Sequence, residues 1–393
     1  MKAIAWRKAV RHAAGLLGCA AMLVSCGGGV DSGGTGSYIA GPITGYGSIV
    51  VGGVHYDESG ADVRDEFNVA GVPEDLKLGM FTEILASEPM GSASAPTATA
   101  LAVRYRSEIV GPVDSVDVVT GLLTVLGQTV KVGPLTVFDA GLAGGLAAVQ
   151  VGEVVEVFGQ FDAFAHRYTA TRIQPKPGAE VFKLRGPVTS LKTSAKRLVI
   201  GGQSIDYSAV GLPDGVTLGK TLRVQLNTAK LGTAWIAVTV EFGVTALPDR
   251  GNVEVEGRVT AFTSIAAFEV DGIPVETTAD TLFPDGQTGV VLGAHVEVKG
   301  SSTDGKLTAA RVSLADDGAP GTEPFEISGT ISLLDPVAKT FVLRGFSVRY
   351  SDTTRFDGSS NASSLRDGRK VEVKGALSSD GTALEASSIH VEL

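Results

Sequence analysis

The chain has 393 residues, and its hydrophobic content of 44% is too high for a generally disordered protein. Its formal net charge of −10 argues against nucleic acid as a partner, because binding to phosphates depends on Lys and Arg. The 51 glycines, set among many valines and threonines, favour short strands and tight turns over helices.

Residues 1–25 predict a lipoprotein signal peptide. Four basic residues begin the segment, and the apolar stretch from Ala13 to Ser25 is shorter than the roughly 20 residues that a membrane-spanning helix needs. The sequence Leu23-Val24-Ser25-Cys26-Gly27 then resembles the bacterial lipobox. That resemblance implies cleavage before Cys26 and lipidation of its thiol. The alternative is an ordinary signal peptide that contains a cysteine by chance.

Lipidation would also account for the cysteine content. The only other cysteine, Cys19, lies in the predicted signal peptide, so the processed chain would have no internal disulfide. Removal of the four basic residues would change the formal charge from −10 to −14. Because Gly27 rather than Asp follows Cys26, the resemblance implies an exported protein held by lipid in the outer membrane of a Gram-negative bacterium.

Residues 26–40 are rich in Gly and Ser and predict a flexible tether. Five similar segments follow, which we assign to residues 41–108, 109–182, 183–243, 251–318 and 325–393. Each opens with Gly and a short strand, continues with a hairpin, and closes with a second hairpin. A Thr-x-Phe step recurs in three of them, and we predict that its phenylalanines, Phe138, Phe283 and Phe356, fill the core.

The closing hairpin is clearest in Leu292–Leu314. Val296 and Val298 alternate with Glu297 and Lys299, which predicts a half-buried strand, and Asp304-Gly305 supplies a turn. Six or so short strands in about 70 residues cannot leave long edges exposed without risking aggregation, and closure into a barrel removes the edges. We therefore predict an all-β protein of five tandem small OB-like β-barrels. Whether neighbouring barrels pack together or move independently stays open.

The recurring pattern of an opening Gly-x-Val, a glycine hairpin, Thr-x-Phe and Leu-x-x-Gly-x-x-Val-x-Val-x-Gly resembles an uncharacterised domain family of bacterial lipoproteins, one of the domains of unknown function. The best copies are Leu292–Val312 and Leu365–Val391. The first segment departs most, since Glu83-Ile84-Leu85-Ala86 lacks the closing glycine. The resemblance brings no catalytic residue.

No motif in the sequence predicts a cofactor or a metal site. Gly215 to Thr221 has one residue too few between its glycines for a phosphate-binding loop. His295 and His390 lie on predicted strands, where we expect ordinary half-exposed residues. The Asp-Gly pairs, such as Asp271-Gly272, are explained as turns rather than as calcium ligands.

One aromatic cluster is a candidate ligand platform. It lies in the second segment and comprises Phe158, Phe161, Phe164 and Tyr168. The alternative is that these rings fill the core and the hairpin end of their own barrel.

Two functions are consistent with these observations. The first is a non-enzymatic, lipid-anchored envelope protein that acts as a spacer or as a binding module for a glycan or protein ligand. The second is an envelope hydrolase with its site in the second segment or between segments. Converging carboxylates or histidines in a deep cleft at that place would favour the hydrolase.

Overall fold

Short strands separated by glycine turns make up most of the described chain. This computed structural model describes residues 34–92, 95–318, 322, 324–357 and 360–392; the predicted signal peptide and Cys26 lie outside these ranges. Five 3-10 helices, and no α-helix, occur in the described ranges: Pro73–Asp75, Ala140–Leu142, Gly145–Ala148, Thr193–Ala195 and Ala362–Ser364.

The strands fall into five groups, which we number barrels 1 to 5. Barrel 1 contains β1 (Gly34–Pro42), β2 (Gly45–Tyr46), β3 (Ile49–Val51), β4 (Val54–Asp57), β5 (Asp62–Asp65), β6 (Phe81–Ala86), β7 (Met90–Ser92) and β8 (Ala95–Arg106). Barrel 2 contains β9 (Ile109–Asp117), β10 (Leu122–Val125), β11 (Gln128–Lys131), β12 (Val137–Phe138), β13 (Val154–Asp162) and β14 (Arg167–Pro175). Barrel 3 contains β15 (Phe182–Lys192), β16 (Arg197–Ile200), β17 (Gln203–Asp206), β18 (Thr221–Leu226) and β19 (Trp235–Phe242).

The last two barrels contain five and seven strands. Barrel 4 contains β20 (Arg250–Ser264), β21 (Ala267–Val270), β22 (Ile273–Leu282), β23 (His295–Thr303) and β24 (Lys306–Leu314). Barrel 5 contains β25 (Phe325–Thr330), β26 (Ser332–Asp335), β27 (Thr340–Leu343), β28 (Phe346–Arg349), β29 (Arg355–Phe356), β30 (Lys370–Leu377) and β31 (Ala383–Val391).

Every barrel closes in the strand order of an OB fold. In barrel 2, β9 pairs with β10, β10 with β11, β11 with β14, β14 with β13, and β13 again with β9. The β11–β14 pairing is parallel and the others are antiparallel. Barrels 3 and 4 repeat this order with single first strands, whereas β1 and β2, or β25 and β26, divide the first strand in barrels 1 and 5. The predicted fold class is confirmed.

The alternation predicted for the closing hairpin is present in β23. Val296 and Val298 are fully buried. Glu297 and Lys299, which alternate with them, are partly exposed. Burial of such valines contributes about 1.5–3 kcal/mol each relative to exposure. The periodicity of two therefore reports the barrel interior correctly.

The Thr-x-Phe step has a second role, carried by its threonine. The hydroxyls of Thr136, Thr281 and Thr354 donate to the carbonyls of Ala170, Ala309 and Ala386 at 2.7, 2.6 and 2.8 Å. Each hydroxyl also accepts a hydrogen bond from the backbone N–H of the residue three positions before it. The threonine thus binds the loop before the fourth strand to the fifth strand of its barrel. Of the phenylalanines predicted as core residues, Phe138 is buried, while Phe283 and Phe356 are partly buried against a core.

The glycine that ends Val-x-Val-x-Gly stands at a bulge, not at a turn. In β23 the pairing shifts between Lys299 and Gly300, and a Cβ at Gly300 would lie 2.0 Å from the carbonyl oxygen of Thr308. Gly159 and Gly375 meet the facing strand in the same way. Only glycine allows this approach, and the bulge lets the strand bend around the barrel.

Main-chain pairing also joins separate barrels. Strand β1 pairs in parallel with β20, matching Ile39 to Glu254 and connecting barrel 1 to barrel 4. Strand β2 pairs in parallel with β25 of barrel 5, and β9 pairs antiparallel with β15 of barrel 3. One apolar core is continuous between barrels 1 and 5, and another between barrels 2 and 3. The described residues accordingly form one compact unit.

The predicted tether is too long at its C-terminal end. Residues 34–40 belong to β1, where Tyr38, Ile39 and Ala40 are buried between β6 and β20. The local composition, rich in Gly and Ser, predicts a flexible segment. The strand is not evident from the sequence, because the strands that pair with it lie far away in the chain. Residues 26–33 lie outside the described ranges.

Candidate functional site

A cleft of about 580 Å³ lies where barrels 2, 3 and 4 meet. This volume falls within the range of small-ligand sites, about 300–1,000 Å³. Barrel 2 contributes Gln128, Phe161 and Tyr168, and the glycines of the barrel 3 hairpins expose backbone along another wall. Barrel 4 supplies the third wall through the β20–β21 hairpin, including Glu269. We refer to this space as the inter-barrel cleft.

An aromatic pair forms one wall of the inter-barrel cleft. The ring centroids of Phe161 and Tyr168 are 5.2 Å apart, and the planes are inclined by 59°. The Tyr168 hydroxyl donates to the carbonyl of Arg185, so the ring is fixed across the junction of barrels 2 and 3. Burial raises the pKa of Tyr168 well above its usual value, which keeps the hydroxyl protonated as a donor. Phe161, which is only partly buried, therefore presents its ring from a rigid support.

The structure divides the predicted aromatic cluster. Phe158 is fully buried and packs into the core shared by barrels 1 and 5, outside its own barrel. Phe164 lies in the β13–β14 turn and is 75% exposed. Only Phe161 and Tyr168 line the inter-barrel cleft. The expectation that Phe158 fills the core of its own barrel is therefore wrong, and Phe164 lies at the hairpin end.

The other walls combine hydroxyl and amide groups with glycine backbone and small apolar side chains. Four threonines contribute to the lining: Thr129, Thr189, Thr221 and Thr260. The Gln128 amide donates to the carbonyls of Leu126 and Gly201, at 3.3 and 3.0 Å, and so holds the hairpins of barrels 2 and 3 together. Hydroxyl groups beside an aromatic face offer both hydrogen bonding and stacking to a ligand.

Arg185 and Asp271 form the charged base of the inter-barrel cleft. Both Nη atoms of Arg185 lie 3.1 Å from Oδ1 of Asp271, and Nη1 lies 3.0 Å from Oε2 of Glu108. Arg106 contacts both of these carboxylates from barrel 1, and its guanidinium lies 4.0 Å from the Phe81 ring centroid. We call Arg106, Glu108, Arg185 and Asp271 the buried ion network. Its members come from barrels 1, 3 and 4 and from the segment that links barrels 1 and 2.

The charges of this network stabilise one another. Burial alone would lower the pKa of Arg185, but Asp271 and Glu108 raise it above its ordinary value. Arg185 therefore stays ionised with side-chain exposure of 4%. The sequence predicts only a turn at Asp271. Its turn does have a left-handed backbone, with φ of 52°, but its carboxylate is also buried, in contrast to the exposed Asp304 of the neighbouring Asp-Gly turn.

His295 is more buried than its sequence context predicts. Its side chain is 8% exposed and lies between Glu256, 3.2 Å from Nε2, and Asp317, 3.0 Å from Nδ1. Burial would lower the pKa of His295, but these two carboxylates outweigh burial and raise it to about 9. The acidic partners lie 39 residues before it and 22 after it, too distant for a local pattern. His390 is exposed.

Glu254 lies on the face of β20 that meets barrel 1. There burial outweighs the ion pair in setting the pKa, whereas at His295 the ion pairs outweigh burial. Burial, reinforced by the nearby carboxylate of Glu297, raises the pKa of Glu254 to about 7 even though Lys299 lies 2.9 Å away. Within the described ranges, no group of three His, Cys, Asp or Glu could hold a metal ion. The same ranges contain no helix that is long and apolar enough to cross a membrane.

Comparison with protein families gives a match in three places. The model of a domain of unknown function, DUF5666, matches residues 110–174, 256–313 and 328–390, which correspond to barrels 2, 4 and 5. Three of the five barrels are therefore similar to this family. The match does not extend to barrels 1 and 3, yet these have the same strand order as the DUF5666 barrels. The predicted resemblance to tandem copies of an uncharacterised domain is confirmed.

No curated protein matches the chain. Among solved structures, one titled "drosophila Unr CSD456" matches at 16% sequence identity, covering 46% of this chain and 85% of that one. Its TM-score is 0.17, so the two structures superimpose poorly. The assignment of the OB fold therefore rests on the strand order of the barrels themselves.

Proposed function

We propose that this is a non-enzymatic, lipid-anchored protein of the cell envelope that binds a short oligosaccharide in the inter-barrel cleft of barrels 2, 3 and 4. The observation that carries this proposal is the aromatic pair, Phe161 and Tyr168, facing a wall rich in threonine and glycine. A sugar ring needs an apolar face to stack against and hydroxyl or amide groups at its edge. OB barrels bind oligosaccharides as well as oligonucleotides, and the acidic chain favours the former.

The packing of the barrels supports binding over a purely passive spacer. The inter-barrel cleft exists only because barrels 2, 3 and 4 are held together, through β9–β15 pairing and the buried ion network. A chain that served only to span distance would gain length from separate barrels in a row. Rigid walls drawn from three barrels instead give a ligand site that is already formed before binding.

Substitution in the aromatic pair tests the ligand proposal. In titration calorimetry with soluble trisaccharides such as maltotriose and chitotriose, we expect Phe161→Ala to weaken binding about two- to tenfold, because an aromatic contact contributes about 0.5–1.5 kcal/mol. Phe164→Ala is the matched control, since Phe164 lies in the same hairpin but outside the inter-barrel cleft. Failure of every trisaccharide to bind, or equal weakening by both substitutions, would refute the proposal.

The anchoring part of the proposal rests on Cys26 and the lipobox-like sequence before it. We expect Cys26→Ala to abolish labelling by radioactive fatty acid and to release the protein from membranes, because stable anchoring needs its acyl chains. Ser25→Ala, which leaves the thiol in place, is the control. An unlabelled Cys26→Ala protein that stays in the membrane fraction would contradict the anchor.

An envelope hydrolase is the second candidate, because the inter-barrel cleft collects His166, Glu269 and Asp271. Asp271 is already bound to two guanidinium groups, which leaves Glu269 as the acid to examine. Turnover of a bound trisaccharide that is lost in Glu269→Gln would favour the hydrolase. Binding without turnover in both proteins would favour the binding module.

A further inference from the structure

A second cavity, of about 480 Å³, lies where barrels 1, 2, 4 and 5 approach one another. Ile43 of barrel 1 and Phe325 of barrel 5 give it an apolar side. Gln160 and Thr171, on the outer face of barrel 2, form part of its wall, and His295 of barrel 4 forms another part. Its lining shares no residue with the inter-barrel cleft.

Two polar atoms in this wall have no partner. Gln160 is 3% exposed, and neither its Nε2 atom nor Oγ1 of Thr171 makes a hydrogen bond. A buried polar group without a partner costs free energy, and native proteins contain few of them. The two lie on adjacent strands, β13 and β14, so they present neighbouring hydrogen-bonding groups to the same cavity. A ligand with an acceptor atom would satisfy the Gln160 donor.

The charges around the cavity are unequal. Its lining contains four carboxylates and two cations: Glu256, Asp285, Glu297 and Asp316 against His295 and Arg311. The His295 ring is engaged by Glu256 and by Asp317 nearby. Glu297 lies 3.2 Å from Lys299, and Asp285 accepts the backbone N–H of Leu314 at 3.0 Å. Even with Lys299 counted beside Glu297, four carboxylates outnumber three cations around the cavity, which favours a ligand that carries positive charge.

We propose that this cavity binds the free amino terminus of a short peptide. A peptide has two groups that complement this wall. Its carbonyl oxygen can accept a hydrogen bond from Gln160, and its terminal ammonium group can balance the charge of the carboxylates. Small apolar side chains fit the side formed by Ile43 and Phe325. A simple diamine lacks the acceptor, and a neutral sugar lacks the charge.

Equilibrium titration with three probes tests this site: the tripeptide Leu-Ala-Ala, its N-acetylated form, and cadaverine. We expect Leu-Ala-Ala to bind and the other two to bind at least several-fold more weakly. Gln160→Met, which removes the buried donor at nearly constant volume, is expected to weaken Leu-Ala-Ala about tenfold, the size of one lost hydrogen bond. Unfolding midpoints of both proteins verify that the variant folds.

Gln225→Met is the matched control. Gln225 lies on β18, the strand of barrel 3 equivalent to β13, and its Oε1 already accepts from Thr239 at 3.1 Å. We expect this variant to bind Leu-Ala-Ala like the unmodified chain. Absence of saturable peptide binding would overturn the proposal. So would equal affinity in Gln160→Met, or equal affinity for the acetylated peptide or cadaverine. The trisaccharide titrations are separate, since they report on the inter-barrel cleft.

Discussion

Replacement of Asp271 by Asn tests whether the buried ion network holds the barrels in place. The substitution keeps the shape of the side chain and tolerates the left-handed turn, but it removes one negative charge from between two guanidinium groups. Glu108 then faces Arg106 and Arg185 with only Glu83, 3.8 Å from Arg106, as a further carboxylate in the neighbourhood. The network then has two guanidinium groups and one carboxylate, so one buried positive charge is no longer balanced within it.

The expected cost follows from the burial of the network. Side-chain exposure is 5% for Arg106, 4% for Arg185 and 8% for Asp271, so water cannot replace the missing carboxylate. Removal of one partner from a buried pair typically costs about 3–5 kcal/mol. Because the Asn oxygen can still accept one hydrogen bond, we expect about 3 kcal/mol in the free energy of unfolding.

Urea unfolding, followed by circular dichroism, measures this cost, and amide hydrogen exchange shows where it falls. We expect faster exchange on both sides of the contact between barrels 3 and 4. Asp304→Asn is the control: it changes another Asp-Gly turn of barrel 4 whose φ is 51° and whose side chain is exposed. We expect it to change stability by less than about 0.5 kcal/mol. If Asp271→Asn is as stable as Asp304→Asn, the network does not hold the barrels together.

Four further substitutions have defined outcomes. Because the pKa of Glu254 is raised to about 7, stability falls as the pH rises from about 4.5 to 7, and Glu254→Gln should remove a step on the order of 3 kcal/mol. Because the pKa of His295 is raised to about 9, its contribution is complete below about 6.5 and is lost as the pH rises through 9, so His295→Gln should flatten that window. Thr281→Val leaves the Ala309 carbonyl without its donor and should cost about 1–3 kcal/mol. Gly300→Ala places a methyl group against the facing backbone and should cost about 2 kcal/mol.

Urea midpoints measured between pH 4 and 10 distinguish the first two variants, since each should lose a different part of the pH profile. A Glu254→Gln profile that still falls between pH 4.5 and 7 would contradict the assignment. Thr308→Val, an exposed threonine of the same barrel, is the control for Thr281→Val. For Gly300→Ala the control is Gly305→Asn, at an exposed hairpin turn where a Cβ would meet nothing within 4 Å and where Asn tolerates a positive φ. If Thr281→Val costs no more stability than Thr308→Val, the role of the Thr281 hydrogen bond is contradicted. If Gly300→Ala costs no more than Gly305→Asn, the role of the close backbone approach at Gly300 is contradicted.

The barrels could be predicted from the sequence because their signals are local. Alternating valines mark the faces of β23, and Asp304-Gly305 marks its turn, whatever the rest of the chain does. Repetition of these signals reveals the number of barrels. The role of Gly300 could be recognised only from the position of the facing strand, β24. In a sequence, a glycine at a bulge cannot be distinguished from a glycine at a turn.

The contacts between barrels could not be predicted in the same way. Asp271 and Phe158 differ from their expected surroundings because their partners belong to other barrels, and His295 differs because its two acidic partners are far from it in the sequence. A residue that faces away from one barrel is normally exposed, unless a second barrel covers it. Sequence periodicity reports which face a side chain is on, and it contains no information about that second barrel. The candidate site was therefore predicted only in part, through Phe161 and Tyr168.

Strand β1 has a mechanical consequence. It is paired along its length to β6 of its own barrel and to β20, whose first residue lies more than 200 positions later. A force applied to the chain ahead of Gly34 would pull β1 along its own axis, while the hydrogen bonds on both sides lie across that axis. They would be loaded in shear and would have to break together, not one after another as in peeling. A pull on the N-terminal side is therefore shared by barrels 1 and 4, which suits a body held at that end.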